Sequence, residues 1–136
     1  MQSETNPLGQ PIGLLVPDWK PPLIPPREGM QGRFCQLEPL DAERHGRPLC
    51  DANALDTENR NWTYLPYGPF DSFESYMTWL REAALKTDTL FFAIIDKTSG
   101  KAVGLASYLR ITPLSASIEV GHLNFSPLLQ QKPAAT

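Results

Sequence analysis

The sequence has no surplus of either charge: 12 lysine and arginine residues stand against 15 aspartate and glutamate, for a net charge of -3 over 136 residues. A protein that follows a phosphate backbone or lies on an anionic bilayer needs a basic face, so neither nucleic acid nor a membrane is an expected partner. Cysteine is nearly absent. The two present, Cys35 and Cys50, have no second cysteine or histidine pair at metal-ligand spacing. No metal site is expected, and reduced thiols are the simplest reading, with a disulfide between the two left open by sequence alone. Long apolar runs are also missing. The longest, residues 90–95 and 13–16, fall far short of the roughly 20 residues a bilayer helix requires, and the first residues lack the basic and apolar regions of a secretory leader. A cytoplasmic location is expected.

What is present suits one domain with a real core, since 41% of the residues are hydrophobic. Proline is distributed unevenly: 7 of the 14 fall within the first 26 residues, at positions 7, 11, 17, 21, 22, 25 and 26. Closely spaced prolines forbid a helix and favour extended geometry, while Ile12, Leu14, Leu15, Val16, Trp19, Leu23 and Ile24 supply apolar side chains. Residues 1–30 are therefore read as an extended arm that straps the domain or a partner subunit. Residues 31–136 form the domain proper.

Within it, residues 33–37 alternate polar with apolar and predict a first strand. Asp41 is the expected N-cap of a helix over residues 42–54 that Pro48 should kink or split. Asp71 and Glu74 have capping-box spacing, and Phe73, Met77, Leu80 and Ala84 recur at helical intervals, predicting a second helix to about Lys86. Residues 90–96 and 102–111 predict an antiparallel hairpin turned at the loop containing Gly100. A further strand is expected over residues 118–125. The fold class is α+β, with a mostly antiparallel, mixed sheet.

The order of these elements, the PL-D-AERH opening of the first helix, the LFFAIID and AVGLASYLRI hairpin and the closing IEVGHLNFSP together resemble the GNAT superfamily of acetyl-CoA-dependent N-acetyltransferases. The likeness is strongest to the branch of ribosomal-protein N-acetyltransferases and covers residues 31–136. It implies an acyl-CoA N-acyltransferase fold in which the fourth strand diverges from a fifth to leave a notch for the cofactor. The expectation is an incomplete copy of that domain, holding its N-terminal portion without the cofactor helix and the later strands, and so binding acetyl-CoA poorly by itself.

The resemblance also implies where acetyl-CoA is held. The family signature places Gln or Arg, two residues, Gly, one residue and then Gly or Ala; Gln130 and Ala135 match, and Pro133 stands at the glycine position. Proline has no N–H to offer a phosphate and cannot take a positive φ. Gln131, Lys132, Ala134 and Thr136 complete the loop, and Val120, Gly121, Leu123 and Phe125 line its approach, with Gly121 suited to a bulge. Glu119 is the first candidate for the base that deprotonates the amine, and His122, able to titrate near neutrality, is the second. Trp62, Tyr64, Tyr67 and Phe70, on a stiff loop over residues 61–70, together with Ser107, are the candidates for lining the acceptor cleft.

The function expected on these grounds is acetyl transfer to an amine, a protein N-terminus or a small molecule. Two alternatives share the same motifs. One is a non-catalytic interaction module derived from the fold, which Pro133 favours; the other is an antibiotic or polyamine acetyltransferase, disfavoured by the want of acidic clusters. The exposed edge of the last strand invites a homodimer.

Overall fold

The computed structural model describes residues 4–136; the first three residues of the arm lie outside them. The arm opens with a small hairpin, β1 (Glu4–Thr5) against β2 (Pro11–Ile12). The Asn6 side chain closes it by accepting from the backbone N–H groups of Leu8 and Gln10. The arm is thus not extended throughout: an asparagine turn overrides the proline tendency at its start. Beyond it the chain runs without regular structure to β3 (Met30–Gln31), leaving Leu15, Leu23 and Ile24 exposed. Arg27 anchors its far end.

A five-stranded sheet follows in spatial order β3, β4 (Cys35–Pro39), β5 (Leu90–Asp96), β6 (Lys101–Thr112) and β7 (Ser117–Phe125). All four pairings are antiparallel. The strand expected over residues 33–37 lies two residues later, because Cys35 to Pro39 pair with Asp96 to Phe92. At the β5–β6 turn the Asp96 carboxylate accepts from the N–H of Thr98 and of Ser99 and from the Ser99 hydroxyl.

Helix α1 (Ala42–Asn53) begins where expected, with the Asp41 side chain accepting from the N–H of Glu43 and Arg44. Pro48 neither kinks nor splits the assignment, which runs unbroken through it. Burial of Ala42, His45, Leu49 and Ala52 along one stripe outweighs the single hydrogen bond that proline removes. His45 explains the last letter of the AERH run. Its Nδ1 accepts from the Asp41 N–H at 3.1 Å, so Nε2 carries the proton and donates to Glu38 at 2.9 Å. This fastens α1 to β4. The bond to His45 holds the Glu38 carboxyl below its usual range, with Arg44 assisting. Asp41→Ala should lower stability by about 1 kcal/mol, read as a shift in the urea midpoint at unchanged slope.

Helix α2 (Phe73–Leu85) is capped by Ser72 and Ser75, which bond reciprocally; Asp71 and Glu74 do not form the box. Two adjacent short hydroxyls reach the backbone where the longer glutamate was expected to. The buried face is accordingly Tyr76, Met77, Leu80 and Ala83. No basic residue sits in the last turn of α2, and Arg27 of the arm supplies one, donating to the carbonyls of Ala84, at 2.9 Å, and Lys86.

Both helices pack on one face of the sheet. Leu49, Trp62, Met77 and Leu80 meet Phe91, Ala93, Ile95 and Leu105 there, each full burial stabilising by about 1.5–3 kcal/mol. The opposite face holds Ile94 and Val103 under Leu129, with Phe125, Ala134 and Ala135 at the margin. Cys50 borders the first cluster and Cys35 the second, so the sheet separates the two thiols and both are free. No helix among the described residues is long and apolar enough to cross a membrane.

Candidate functional site

Strand β7 is one edge of the sheet, and its register against β6 breaks in the middle. Leu105 faces Asn124 and Ser107 faces Gly121, so Ala106 alone stands opposite His122 and Leu123. This is a β-bulge, and His122 takes the left-handed conformation within it, at φ 50°. The bulge falls at His122 and not at Gly121, because what the backbone needs of Gly121 is space: a Cβ there would come within 2.8 Å of a Leu109 methyl and 3.3 Å of the Glu119 carboxylate. The Ser107 hydroxyl fixes the bulge by donating to the Gly121 carbonyl at 2.9 Å. Ser107 is buried and its donor is spent on the backbone; it holds the strand in shape and offers nothing to an acceptor.

The bulge turns His122 onto the helix face. Its ring stacks on Tyr67 with centroids 5.6 Å apart and lies 5.5 Å from Phe91. Tyr67 in turn packs 4.3 Å from Trp79. Partial burial among these rings pushes the imidazole below its usual pKa; the Lys86 ammonium adds to this and the Glu119 carboxylate opposes it. His122 is therefore neutral at pH 7, and among the described residues neither ring nitrogen has a hydrogen-bond partner. Glu119 is 45% exposed and pairs with Arg110 at 3.1 Å. It lies on the same face, opposite Leu109.

The aromatic loop divides. Tyr67 and Phe70 join the ring cluster with Trp79, whereas Tyr64 is 97% exposed and joins nothing. Trp62 is 7% exposed, edge-on to Tyr67 and Phe70, and Gly68 presses against it so closely that a Cβ would lie 2.6 Å from the indole. It packs the loop onto the helices. Trp79 and Phe91, which form the floor under Tyr67 and His122, carry no motif in the sequence; only the helical spacing of Tyr76, Trp79 and Ala83 hinted at an inward tryptophan.

The closing loop begins at Ser126, which donates from both N–H and hydroxyl to the Val103 carbonyl. The Gln130 amide donates to Asn61 and to the Phe125 carbonyl, each at 2.8 Å. It is thereby turned toward the 61–70 loop. Gln131 is left-handed at φ 58°, and Pro133–Ala135 form one helical turn whose alanines pack on the back of the sheet. Lys132 lines a cleft of ≈ 260 Å³ with Arg33, Lys97 and Asp96. Val120 pairs with Tyr108, is exposed, and belongs, like the half-exposed Leu123, to the open edge of β7. These features fit a ligand such as acetyl-CoA: an unpaired strand edge offers N–H and C=O groups to an extended chain bearing amides, and three cations stand where the phosphates would emerge. Pro133 subtracts one donor from that set.

No protein-family model matches the chain, and no curated protein does. Solved structures match it well. A GCN5-related N-acetyltransferase from Brucella melitensis superposes with a TM-score of 0.84 at 37% identity, over 88% of this chain and 54% of its own. The chain has the GNAT fold. A GNAT-family protein from Chromobacterium violaceum follows at TM-score 0.79 and 34% identity, over 93% of this chain and 63% of its own. A spermidine N-acetyltransferase from Vibrio cholerae, solved with CoA and spermine, shares the fold at TM-score 0.54 and 18% identity, over 76% and 58% of the two chains. The chain thus spans between about half and under two thirds of the length of these GNAT relatives. The α+β class and antiparallel sheet read from sequence are those of the GNAT fold.

Proposed function

We propose that the protein is an acetyl-CoA-dependent N-acetyltransferase acting on a primary amine, with a protein N-terminus as the favoured acceptor. The observation that carries this reading is the bulge at His122, which sets a neutral, unpartnered imidazole beside an open strand edge and between aromatic walls. When bound, acetyl-CoA would supply the acetyl group as an activated thioester, held by the edge of β7 around Val120 and Leu123 and by the loop containing Gln131, Lys132, Ala134 and Thr136.

The residues of this chain would supply the rest. An amine nitrogen attacks only with its lone pair free, so the proton it sheds as the C–N bond forms needs an acceptor. A base is most useful when its pKa lies near the working pH. His122 meets that condition better than Glu119, whose carboxylate is solvated and already paired with Arg110. The order of candidates read from sequence is therefore reversed here: His122 takes the proton, and the Glu119 charge steadies the imidazolium so formed. Tyr67 and Trp79 hold the ring in place and keep water from it. Lys86 and Arg110 flank the pair, and a polycationic acceptor would meet like charge there. This favours a peptide terminus with one amine over a polyamine.

Thiol release from acetyl-CoA, followed with the intact protein and matched concentrations of short peptides and of spermidine, tests both parts. Peptide acetylation faster than spermidine acetylation is the expected result. Absence of thiol release with every amine would leave the non-catalytic module as the better reading; spermidine outpacing peptides would overturn the acceptor assignment.

A further inference from the structure

Away from the β7 face, a separate cleft of ≈ 240 Å³ opens between the end of α1, the turn at Arg60–Trp62 and the start of α2. Its walls are rings, those of Trp62, Phe70, Phe73 and Tyr76. Two polar side chains also line it, Asn53 and Tyr76, which are 8% and 3% exposed. Neither has its hydrogen bonds made: both amide atoms of Asn53 and the Tyr76 hydroxyl lack a partner within the protein. The hydroxyl lies beside the amide without meeting hydrogen-bond geometry, and burial pushes the phenol above its usual range. A buried polar atom left unmet costs about 1–3 kcal/mol. Three such atoms at one aromatic-walled cleft are more than a fold tolerates without return.

We propose that this cleft is a second small-molecule site, distinct from the His122 face, for a flat ring bearing a neutral carboxamide or lactam edge. The chemistry follows from what lines it. The Asn53 side chain offers N–H donors beside a C=O acceptor, the pattern that pairs with another amide edge through two hydrogen bonds. The Tyr76 hydroxyl can give or take a third. Trp62 and Phe70 offer faces and edges for a ring to stack on. No cationic side chain lines the cleft, so carboxylates and phosphates would be held by nothing, while the Asp71 carboxylate at the rim would repel them. The volume matches one ring with its substituent, or about eight waters at roughly 30 Å³ each. The site stands independently of the acetyl-transfer reading.

Benzamide and toluene, titrated separately into the ¹⁵N-labelled chain, test the proposal, since they share a ring and differ in the amide. The expected result is saturable shifts for benzamide confined to amides near Asn53, Trp62 and Tyr76, with toluene bound at least about tenfold more weakly. In Asn53→Leu the preference should vanish and toluene should bind at least as tightly as benzamide, while the melting temperature holds or rises because two unmet polar atoms are gone. Equal binding of both probes by the unmodified chain, shifts confined to residues 119–122, or no saturation up to the solubility of benzamide would each overturn the assignment and leave the cleft to water.

Discussion

In a His122→Asn variant, acetyl transfer to a peptide amine is expected to fall by about 10²–10⁴-fold, the usual contribution of a positioned general base. Asparagine is the informative replacement because it tolerates the left-handed backbone of the bulge yet cannot titrate. A loss of rate with it separates proton transfer from strand geometry. The unmodified enzyme should lose kcat/KM on the acid side with an inflection below 6.5, the ordinary value for histidine, since burial and Lys86 lower the imidazole pKa in the folded protein. In the variant that limb should disappear. Glu119→Gln should shift the limb to lower pH, because the carboxylate opposes the depression, while retaining more activity than His122→Asn. A variant at His122 that keeps full rate and the same limb would remove the imidazole from the chemistry. The same shift bears on stability. The unfolded chain, with the higher pKa, binds more protons between the two values, so stability should decline as pH falls from about 6.5 through the folded pKa.

Trp62→Ala is expected to be the most damaging single truncation on the helix face, destabilising the fold by about 3–5 kcal/mol. The indole is 7% exposed and abuts Gly68, Tyr67 and Phe70, so its removal leaves a void that the stiff 61–70 loop cannot close. Domains of this size hold only about 5–15 kcal/mol in all. The melting temperature should therefore drop by on the order of 10–20 °C, as read by differential scanning calorimetry. Trp62→Phe should recover part of the loss by keeping an edge against Phe70. A melting temperature within a few degrees of the unmodified chain would show that the loop packs without its tryptophan.

What the sequence disclosed and what it withheld divide along physical lines. Strand β5 could be read to the residue, because LFFAIID is buried along nearly its whole length and bounded by turn chemistry. Helix α1 was legible from Asp41, whose cap is a local contact. The cap of α2 was misassigned for an equally local reason: two overlapping capping patterns lay one residue apart, and side-chain reach decided between them. The bulge at His122 was not legible, since a register shift is a relation between β7 and a strand fourteen or more residues earlier. Trp79, Phe91, Asn53 and Tyr76 belong to the same class. Each is an ordinary helix or strand residue until tertiary packing sets it beside the others.

The bulge has one further consequence. Along a strand, inside and outside alternate like black and white squares, and an extra residue reverses the colours beyond it. Glu119 and Gly121 share the helix face; past His122 the alternation is inverted, so Asn124 turns inward opposite Leu105 while Phe125 passes to the back of the sheet. Deletion of either His122 or Leu123 would restore even pairing and exchange the two, sending a phenyl ring into the space of a buried amide and withdrawing the one aromatic contact that β7 gives the closing loop. The site and the loop beside it are thus set by a single miscount.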